Sequence, residues 1–226
     1  MCGRFSITLP NDAMAQLFDA QPDNNLPDVP NYNVCPTTSI HVVTGRAQGQ
    51  PRRLVAMRWG LLPHWYDKSN DGPLLINARS ETIAKKPAFR AAVRSRRCLV
   101  VVSGYYEWTK ASDGSRDPWY IYAADAAPLV LAAIWQDWTD PNGETIKTCA
   151  VVTTAADEKM SRIHHRMPVV LHPDNWPLWL GEAGHGAAVL LNSVSNISCE
   201  MYRVDRAVNS NRSCGPPLIE PLPAGK

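Results

Sequence analysis

Short apolar runs recur along the chain, and they predict that β-strands form most of its regular structure. The run at 98–102 is continuous, which is typical of a central strand buried on both faces. Asn142-Gly143 predicts a tight hairpin turn between two neighbouring strands. Strands are expected at 3–7, 39–44, 53–59, 98–102, 104–108, 119–122, 129–135, 145–153, 167–171 and 201–204.

Helices are predicted to be few and mostly short. Asn11 and Asp12 are expected to cap a helix whose inner face carries Met14, Leu17 and Phe18. The other helices are expected at 80–97, with Ser80 as the cap and Ile83, Phe89, Ala92 and Val93 inward, and at 156–163, 173–180 and 186–192.

This order of elements favours the α+β class. We expect a single domain over residues 1–226, with a barrel-like, mostly antiparallel β core and a few peripheral helices. The chain shows no internal repeat and no linker, and its Pro-rich tail from about residue 215 is expected to be extended.

Composition narrows the partners that the protein can have. The net charge is only +2, so any nucleic-acid contact must come from a local set of arginines rather than from an overall basic field. No stretch reaches transmembrane length and no leader precedes the fold, so we expect a soluble, cytoplasmic protein without membrane contact. The six cysteines are scattered and form no C-x-x-C pair, which argues against a zinc ribbon. Without a signal peptide, disulfides are not expected either.

The start of the chain carries unusual chemistry. Cys2 is small enough for a methionine aminopeptidase to remove Met1, which would leave an α-amine and a thiol on adjacent carbons. The amine can form a Schiff base with an aldehyde, and the thiol can then close a thiazolidine ring. Their reference pKa values, roughly 8 and about 8.5, leave both partly deprotonated near neutral pH. The alternative is that Cys2 merely follows the start codon.

Three further positions are candidates for proton transfer or positioning. Glu107 lies among aromatic residues, which should raise its pKa and suit it to shuttle a proton, although strand alternation could instead point it at solvent. Asn77 follows an apolar lead-in and either braces the backbone or presents its amide to a ligand. His164 can act as an acid or base, whereas the adjacent His165 favours a surface turn. Adjacent histidines point apart, so we expect no metal.

Several basic and aromatic residues are candidates for contacts with phosphates or bases. Arg4 and Arg79 can hold phosphates or can be solvated surface arginines. Trp65 can stack on a base or cover the core as a lid. The arginines at 90, 94, 96 and 97 are expected to form a solvated face or to act as strand gatekeepers.

Together these pieces resemble the SOS-response-associated peptidase (SRAP) family, nearly collinearly over the whole chain. The resemblance rests on six motifs in fixed order: Met1-Cys2-Gly3-Arg4-Phe5, Tyr32-Asn33-Val34-x-Pro36-Thr37, Arg58-Trp59-Gly60-Leu61-x-Pro63-x-Trp65, Ile76-Asn77-Ala78-Arg79-x-Glu81-Thr82, Gly104-Tyr105-Tyr106-Glu107-Trp108 and Ile163-His164-x-Arg166-Met167-Pro168.

The resemblance implies roles for particular residues. The catalytic set falls on Cys2, Asn77, Glu107 and His164, without cofactor or metal. The DNA-contacting set falls on Arg4, Asn33, Trp65, Arg79 and Arg166, along a positively charged groove. Tyr66 stands where some relatives carry a second tryptophan, which affects the details of base unstacking.

The expected function is recognition of abasic sites in single-stranded DNA, with a covalent thiazolidine crosslink through Cys2 after Met1 removal. AP-lyase chemistry is a side path of the same imine. The protein is expected to be a monomer that joins the nucleoid when it is bound to damaged DNA. Two alternatives remain, a thiol (auto)peptidase and a non-covalent DNA-damage-binding module.

Overall fold

The computed structural model describes residues 2–23, 25–46, 50–191 and 197–223, and strands occupy more of them than helices do. The strands are β1 (Phe5–Ile7), β2 (Ala20–Pro22), β3 (Asn31–Val34), β4 (Ser39–Thr44), β5 (Arg52–Trp59), β6 (Asn77–Arg79), β7 (Arg97–Val102), β8 (Gly104–Lys110), β9 (Arg116–Ala123), β10 (Leu129–Thr139), β11 (Thr145–Ala155), β12 (Arg166–Pro168) and β13 (Cys199–Arg203). The α-helices are α1 (Asn11–Phe18), α2 (Pro87–Ser95), α3 (Glu158–Ser161) and α4 (Trp176–Leu180). Short 3₁₀ segments lie at Pro173–Asn175, Ala187–Leu191, Arg206–Asn209 and Pro216–Ile219.

The larger sheet closes into a five-stranded barrel. Its strands follow the order β11-β10-β7-β4-β5, and parallel pairing of β5 with β11 completes the circle, while the other pairings are antiparallel. β7 lies between β10 and β4 in this barrel, and its residues from Cys98 to Val102 are buried. The continuous apolar run therefore belongs to a central strand, as predicted. The α+β class with a barrel-like core is confirmed.

The smaller sheet carries the start of the chain. Its order is β13-β9-β8-β1-β3, and Phe5 on β1 pairs with Tyr105 on β8. Because side chains alternate along a strand, Tyr105 and Glu107 share one face of β8. Tyr106 faces the other way, into a small cluster with Tyr120, Val204, Val208 and Leu218.

The first helix differs from its prediction in its cap and in its buried face. Pro10 occupies the N-cap position and no side chain caps the helix. Met14 and Phe18 are buried, whereas Leu17 is 42% exposed. Residues at i and i+4 share one narrow face, and this short helix buries only that face. The prediction that Leu17 points inward was wrong.

The predicted helix at 80–97 is shorter, because a proline sets its start. Residues 80–86 form successive turns, and Lys86 is extended with φ −70° and ψ 127°. A residue before proline avoids the helical region, while Pro87 itself suits the first helical position. Phe89 and Ala92 are buried as expected, and Val93 packs partly buried against the core. Ser80 caps no helix in the structure.

Several other helices and strands begin or end a few residues away from their predicted positions. The predicted helix at 156–163 is shorter in the structure, where only α3 is helical. The Asp157 carboxylate accepts a hydrogen bond from Met160 N and thereby caps the N-terminus of α3. The predicted strand at 167–171 shortens to β12, followed by a single bridge between Leu131 and Val170. The tail is not wholly extended, because Pro216–Ile219 forms a 3₁₀ turn. The helix predicted at 186–192 is a 3₁₀ segment at Ala187–Leu191, and residue 192 lies outside the described residues.

All six cysteines are free thiols, and Cys2, Cys98 and Cys149 are buried. In the described ranges, no helix combines the length and the apolar character that crossing a bilayer requires.

Candidate active site

Cys2 lies in the interior of the molecule, at the entry to β1. Its exposed fraction is 0%, and burial raises the pKa of its thiol well above the usual value, with the charge of Glu107 adding to the shift. The prediction that this thiol is partly deprotonated near neutral pH was therefore wrong for the buried side chain. The side-chain amide of Asn77 donates from Nδ2 to the Cys2 carbonyl oxygen at 2.8 Å. Met1 lies outside the described residues. The hydrogen bond from Asn77 therefore fixes the backbone of Cys2, the residue whose α-amine and thiol are the predicted reactive groups.

Asn77 is held in place by the barrel. It begins β6, which pairs in parallel with β11 and sets Asn77 opposite Val151. The Asn77 Oδ1 atom is buried, and no described group donates a hydrogen bond to it. The amide therefore braces the Cys2 backbone through its nitrogen, which is the first of the two roles that the sequence allowed. Presentation of the amide to a ligand stays a prediction.

Glu107 is buried beside the same chain start. Its exposed fraction is 2%, so the solvent-facing alternative for this residue is excluded. Burial raises the pKa of the Glu107 carboxyl. The backbone N–H of Tyr106 donates to the Arg4 carbonyl at 2.9 Å, and continuing this antiparallel register brings Gly3 beside Glu107. A carboxyl with a raised pKa can exchange a proton near neutral pH.

His164 faces Glu107 from the turn after α3. Its Nδ1 atom lies 3.8 Å from Glu107 Oε1, and also 3.0 Å from the backbone N and O of Arg166. Burial lowers the pKa of the His164 imidazole. Burial thus raises the pKa of this carboxyl and lowers the pKa of this imidazole, so the two pKa values lie closer together than in the free side chains.

A cleft of about 680 Å³ opens onto this pair. It is lined by Gly3, Arg4, Glu107, Trp108, Thr109, Lys110, Gly114, Arg116, His164 and Asn209. Three of these residues, Arg4, Glu107 and His164, are predicted site residues, whereas the sequence did not predict that the β8–β9 hairpin and Asn209 belong to the site. The sequence feature that could have identified the hairpin is the pair of basic residues, Lys110 and Arg116, on either side of Asp113-Gly114.

Arg4 and Asn33 form one structural unit at the wall of the cleft. Arg4 Nη1 donates to Asn33 Oδ1 at 2.6 Å and to the Val208 carbonyl at 2.8 Å. Asn33 Nδ2 in turn donates to the carbonyls of Ser210 and Ser213 at 3.0 and 2.7 Å. The side-chain amide of Asn33 is thus used in positioning Arg4 and the C-terminal segment. Its contact with DNA stays a prediction.

Trp65 stands on a loop that the barrel anchors firmly. Leu61 and Leu62 are buried, which explains the apolar character of this loop. Gln136 Nε2 donates to the Leu62 carbonyl at 2.5 Å, and the Trp138 indole donates to the Tyr66 carbonyl at 2.8 Å. Trp65 itself is 49% exposed, so half of its surface is available for stacking and the lid alternative is disfavoured.

Arg79 and Arg166 differ sharply in what their side chains contact. Arg79 is exposed on β6, two residues from Asn77 and therefore on the same face of the strand. Arg166 is 8% exposed, and its guanidinium donates to both carboxylate oxygens of Glu81 at 2.5 and 3.0 Å and to the Thr153 carbonyl at 2.7 Å. Arg166 is thus engaged within the protein, and its contact with DNA stays a prediction.

Arg166→Ala should lower the free energy of unfolding by about 2 kcal/mol, or roughly 4–8 °C in melting temperature. The loss comes mainly from the buried Thr153 carbonyl, because the Glu81 side chain is 46% exposed and water can solvate it. Glu81→Gln, which keeps the shape and removes the charge, should cost less. Thermal unfolding of the three proteins measures both effects, and an unchanged melting temperature for Arg166→Ala contradicts the structural role.

The described residues contain no cluster of three His, Cys, Asp or Glu side chains that could hold a metal ion. His165 is exposed, and its ring lies 4.3 Å from that of His164 at an interplanar angle of 31°. The charge of His164 lowers the pKa of His165. The two rings therefore lie against each other, so the prediction that these histidines point apart was wrong, while the exposure of His165 fits the predicted surface turn.

The amino-acid sequence matches a known protein family. A family model described as SOS response associated peptidase (SRAP) matches residues 1–211. The abasic site processing protein YoqW of Bacillus subtilis is 34% identical over 226 residues, covering 97% of this chain and 99% of that protein. The abasic site processing protein HMCES of Rattus norvegicus is 30% identical over 270 residues, covering 98% of this chain and 76% of that protein.

A solved structure supports the fold. A protein from Bacteroides thetaiotaomicron, known from an X-ray crystal structure, is 24% identical and superposes with a TM-score of 0.83. The match covers 98% of this chain and 100% of that one. The described barrel and its second sheet therefore follow an architecture that occurs in a protein of distant sequence.

Proposed function

This chain belongs to the SOS response associated peptidase family, and from that premise we propose that it captures abasic sites in single-stranded DNA as a covalent adduct on Cys2. The supporting observation is the convergence of four side chains from separate parts of the chain. Asn77 holds the Cys2 backbone, the charge of Glu107 acts on the Cys2 thiol, and His164 lies across from Glu107. The named relatives, abasic site processing proteins, support the choice of substrate.

The first chemical step is imine formation. Removal of Met1 would free the α-amine of Cys2, which attacks the C1′ aldehyde of the open-chain sugar. Glu107 takes a proton from the attacking amine, and His164 supplies one to the hydroxyl that leaves as water. Holding the amine and the aldehyde in one site makes this step effectively unimolecular, a gain of several kcal/mol.

The second step traps the imine. The Cys2 sulfur attacks the imine carbon, and the thiol proton ends on the imine nitrogen as the five-membered ring closes. The overall balance is one aldehyde, one amine and one thiol giving a thiazolidine and one water. Without sulfur, the same imine can lose the 3′ phosphate by β-elimination, which is AP-lyase chemistry. The thiol thus protects the strand that it captures.

Recognition of DNA is assigned to basic and aromatic groups around the site. Arg4 lines the cleft and Arg79 is exposed near Asn77, so both can reach phosphates on either side of the lesion. Trp65 offers an exposed ring for base stacking, which every base accepts. We propose that a monomer acts on single-stranded DNA in the cytoplasm and at the nucleoid.

The family description also raises a thiol peptidase as a second candidate. An N-terminal cysteine beside Glu, His and Asn side chains can in principle open an amide. A thiol nucleophile of this kind needs a lowered pKa, whereas burial raises the pKa of Cys2. This observation favours the amine-first reaction with an aldehyde.

Intact mass measurement tests the proposal. The purified protein should lack the mass of Met1, and incubation with an abasic single strand should add the mass of that strand minus one water. The adduct should survive denaturation without borohydride. A non-covalent module would release the strand, and a peptidase would instead cleave a peptide substrate offered in parallel.

Asn77→Ala should slow adduct formation about tenfold, because the Cys2 backbone loses its 2.8 Å hydrogen bond and samples unproductive positions. Single-turnover kinetics at saturating DNA measures the rate. Asn142→Ala, which removes an exposed amide in the β10–β11 turn, is the matched control and should react at the unaltered rate. Equal rates for all three proteins would remove Asn77 from the proposed machinery.

A further inference from the structure

A basic pair lies on the β8–β9 hairpin, at the margin of the cleft that contains Glu107 and His164. Lys110 ends β8, Arg116 begins β9, and the register sets the two residues directly opposite each other. Both side chains are exposed, and both line the 680 Å³ cleft. Like charges in this arrangement repel each other. An anion between them would remove the repulsion.

The acidic groups near the hairpin are engaged with other cations. Asp117 is 9% exposed and binds Arg203 at 2.9 Å and Arg206 at 2.7 Å. The Asp113 carboxylate accepts a hydrogen bond from the Ser115 side chain and lies 3.9 Å from Arg206. Within the described part of the chain, neither Lys110 nor Arg116 forms an ion pair, so no carboxylate of that part compensates either of them.

Hydrogen bonds from the C-terminal segment hold the hairpin that carries Lys110 and Arg116. The side chain of Asn209 accepts from the Trp108 indole at 2.6 Å and donates to the Arg116 carbonyl at 3.0 Å. It thereby ties both strands of the hairpin to the C-terminal segment. A Cβ atom built on Gly114 would meet no atom within 4 Å, so the space beside this turn is open. The hydrogen bonds of Asn209 hold the hairpin backbone in place before an anion binds, which lowers the entropic cost of ordering it.

We propose that Lys110 and Arg116 bind a backbone phosphate of the damaged strand, on one side of the lesion only. The inference rests on the proposed function, and it assigns the strand a path from the reacting sugar to the hairpin. Lys110 is three residues from Glu107, about 10 Å along a strand. That distance is about three steps of a stacked nucleotide strand. The contact therefore falls on a nearby phosphate of one flank.

The test uses single strands with a tetrahydrofuran analogue of the abasic sugar, which has no aldehyde and reports binding alone. Three oligonucleotides carry a flank on both sides of the analogue, on the 5′ side only, or on the 3′ side only. The Lys110→Ala/Arg116→Ala protein should bind about tenfold more weakly to the strands that carry the contacted flank, and its slope of log affinity against log salt should be about 0.7 shallower. The strand without that flank should bind equally to both proteins.

Arg46→Ala is the matched control, because Arg46 is exposed, is paired with Asp19 and does not line the cleft. Equal losses on all three strands, or a loss no larger than that of Arg46→Ala, would overturn the proposal. With a true abasic strand, the double variant should need about tenfold more DNA than the unaltered protein to reach half of its maximal rate of adduct formation. Absence of any adduct from either protein would instead reject the proposed covalent function. The difference in binding between the strands with a 5′ flank and those with a 3′ flank would still decide whether the hairpin binds a phosphate.

Discussion

Cys2→Ala should abolish the denaturation-stable adduct with an abasic single strand, lowering its yield on the order of 100-fold or more. Alanine is as small as cysteine at the second position, so removal of Met1 and the α-amine are preserved. The imine can then still form, but no sulfur closes the ring, and the imine hydrolyses or eliminates. Denaturing gels after incubation measure the adduct, and the same gels show strand cleavage from the unprotected imine. Cleavage should therefore rise relative to adduct in this variant.

Two cysteine variants separate the ring chemistry from general effects of cysteine loss. Cys214 is exposed, and Cys214→Ala should form the adduct normally. Cys2→Ser keeps the shape of the buried side chain but offers a weaker nucleophile, so it should leave an adduct that denaturation reverses. A heat-stable adduct from Cys2→Ala would contradict the thiazolidine proposal. Thermal unfolding checks the fold, since replacing a buried thiol by a methyl group leaves only a small cavity.

Sequence reasoning succeeded where the signal is local and failed where it depends on contacts between distant segments. The continuous run of β7 predicts a strand with neighbours on both sides, and the structure places it between β10 and β4. Glu107 follows an aromatic pattern within one strand, and the prediction that its surroundings raise the pKa is confirmed in direction. The start of α2 was missed because Pro87 outweighed the capping pattern at Ser80.

The parts of the site that sequence reasoning missed are made by long-range contacts. Asn209 reaches Trp108 across 101 positions in the chain, and no pattern near either residue announces that contact. Arg166 reaches Glu81 across 85 positions, which leaves its guanidinium engaged within the protein. Exposure of the hairpin pair toward the cleft likewise depends on strand register. Motifs thus identified residue types with the right chemistry, while tertiary structure decides which of those groups face the substrate.

Glu107→Gln should slow adduct formation about 100-fold or more while changing the affinity for DNA less than about threefold, because it removes proton transfer and keeps the shape. In the unaltered protein the carboxylate acts as the base, so the rate should fall as pH drops through the raised pKa of Glu107. The variant should lack this acidic limb. Single-turnover rates across pH, beside equilibrium binding, measure both quantities, and equal losses in rate and affinity would reduce Glu107 to a structural role.

Glu107→Gln, which should slow the reaction, should make the folded protein more stable. Because the folded pKa of Glu107 is raised above the unfolded value of about 4.3, the folded state holds its proton more tightly, and stability falls as pH rises between those two pKa values. A neutral glutamine does not bear this cost. Glu107→Gln should therefore melt at a higher temperature than the unaltered protein at neutral pH, and the difference should vanish below about pH 4. A slower protein that is also more stable would mark Glu107 as a residue whose burial destabilises the fold and serves the reaction.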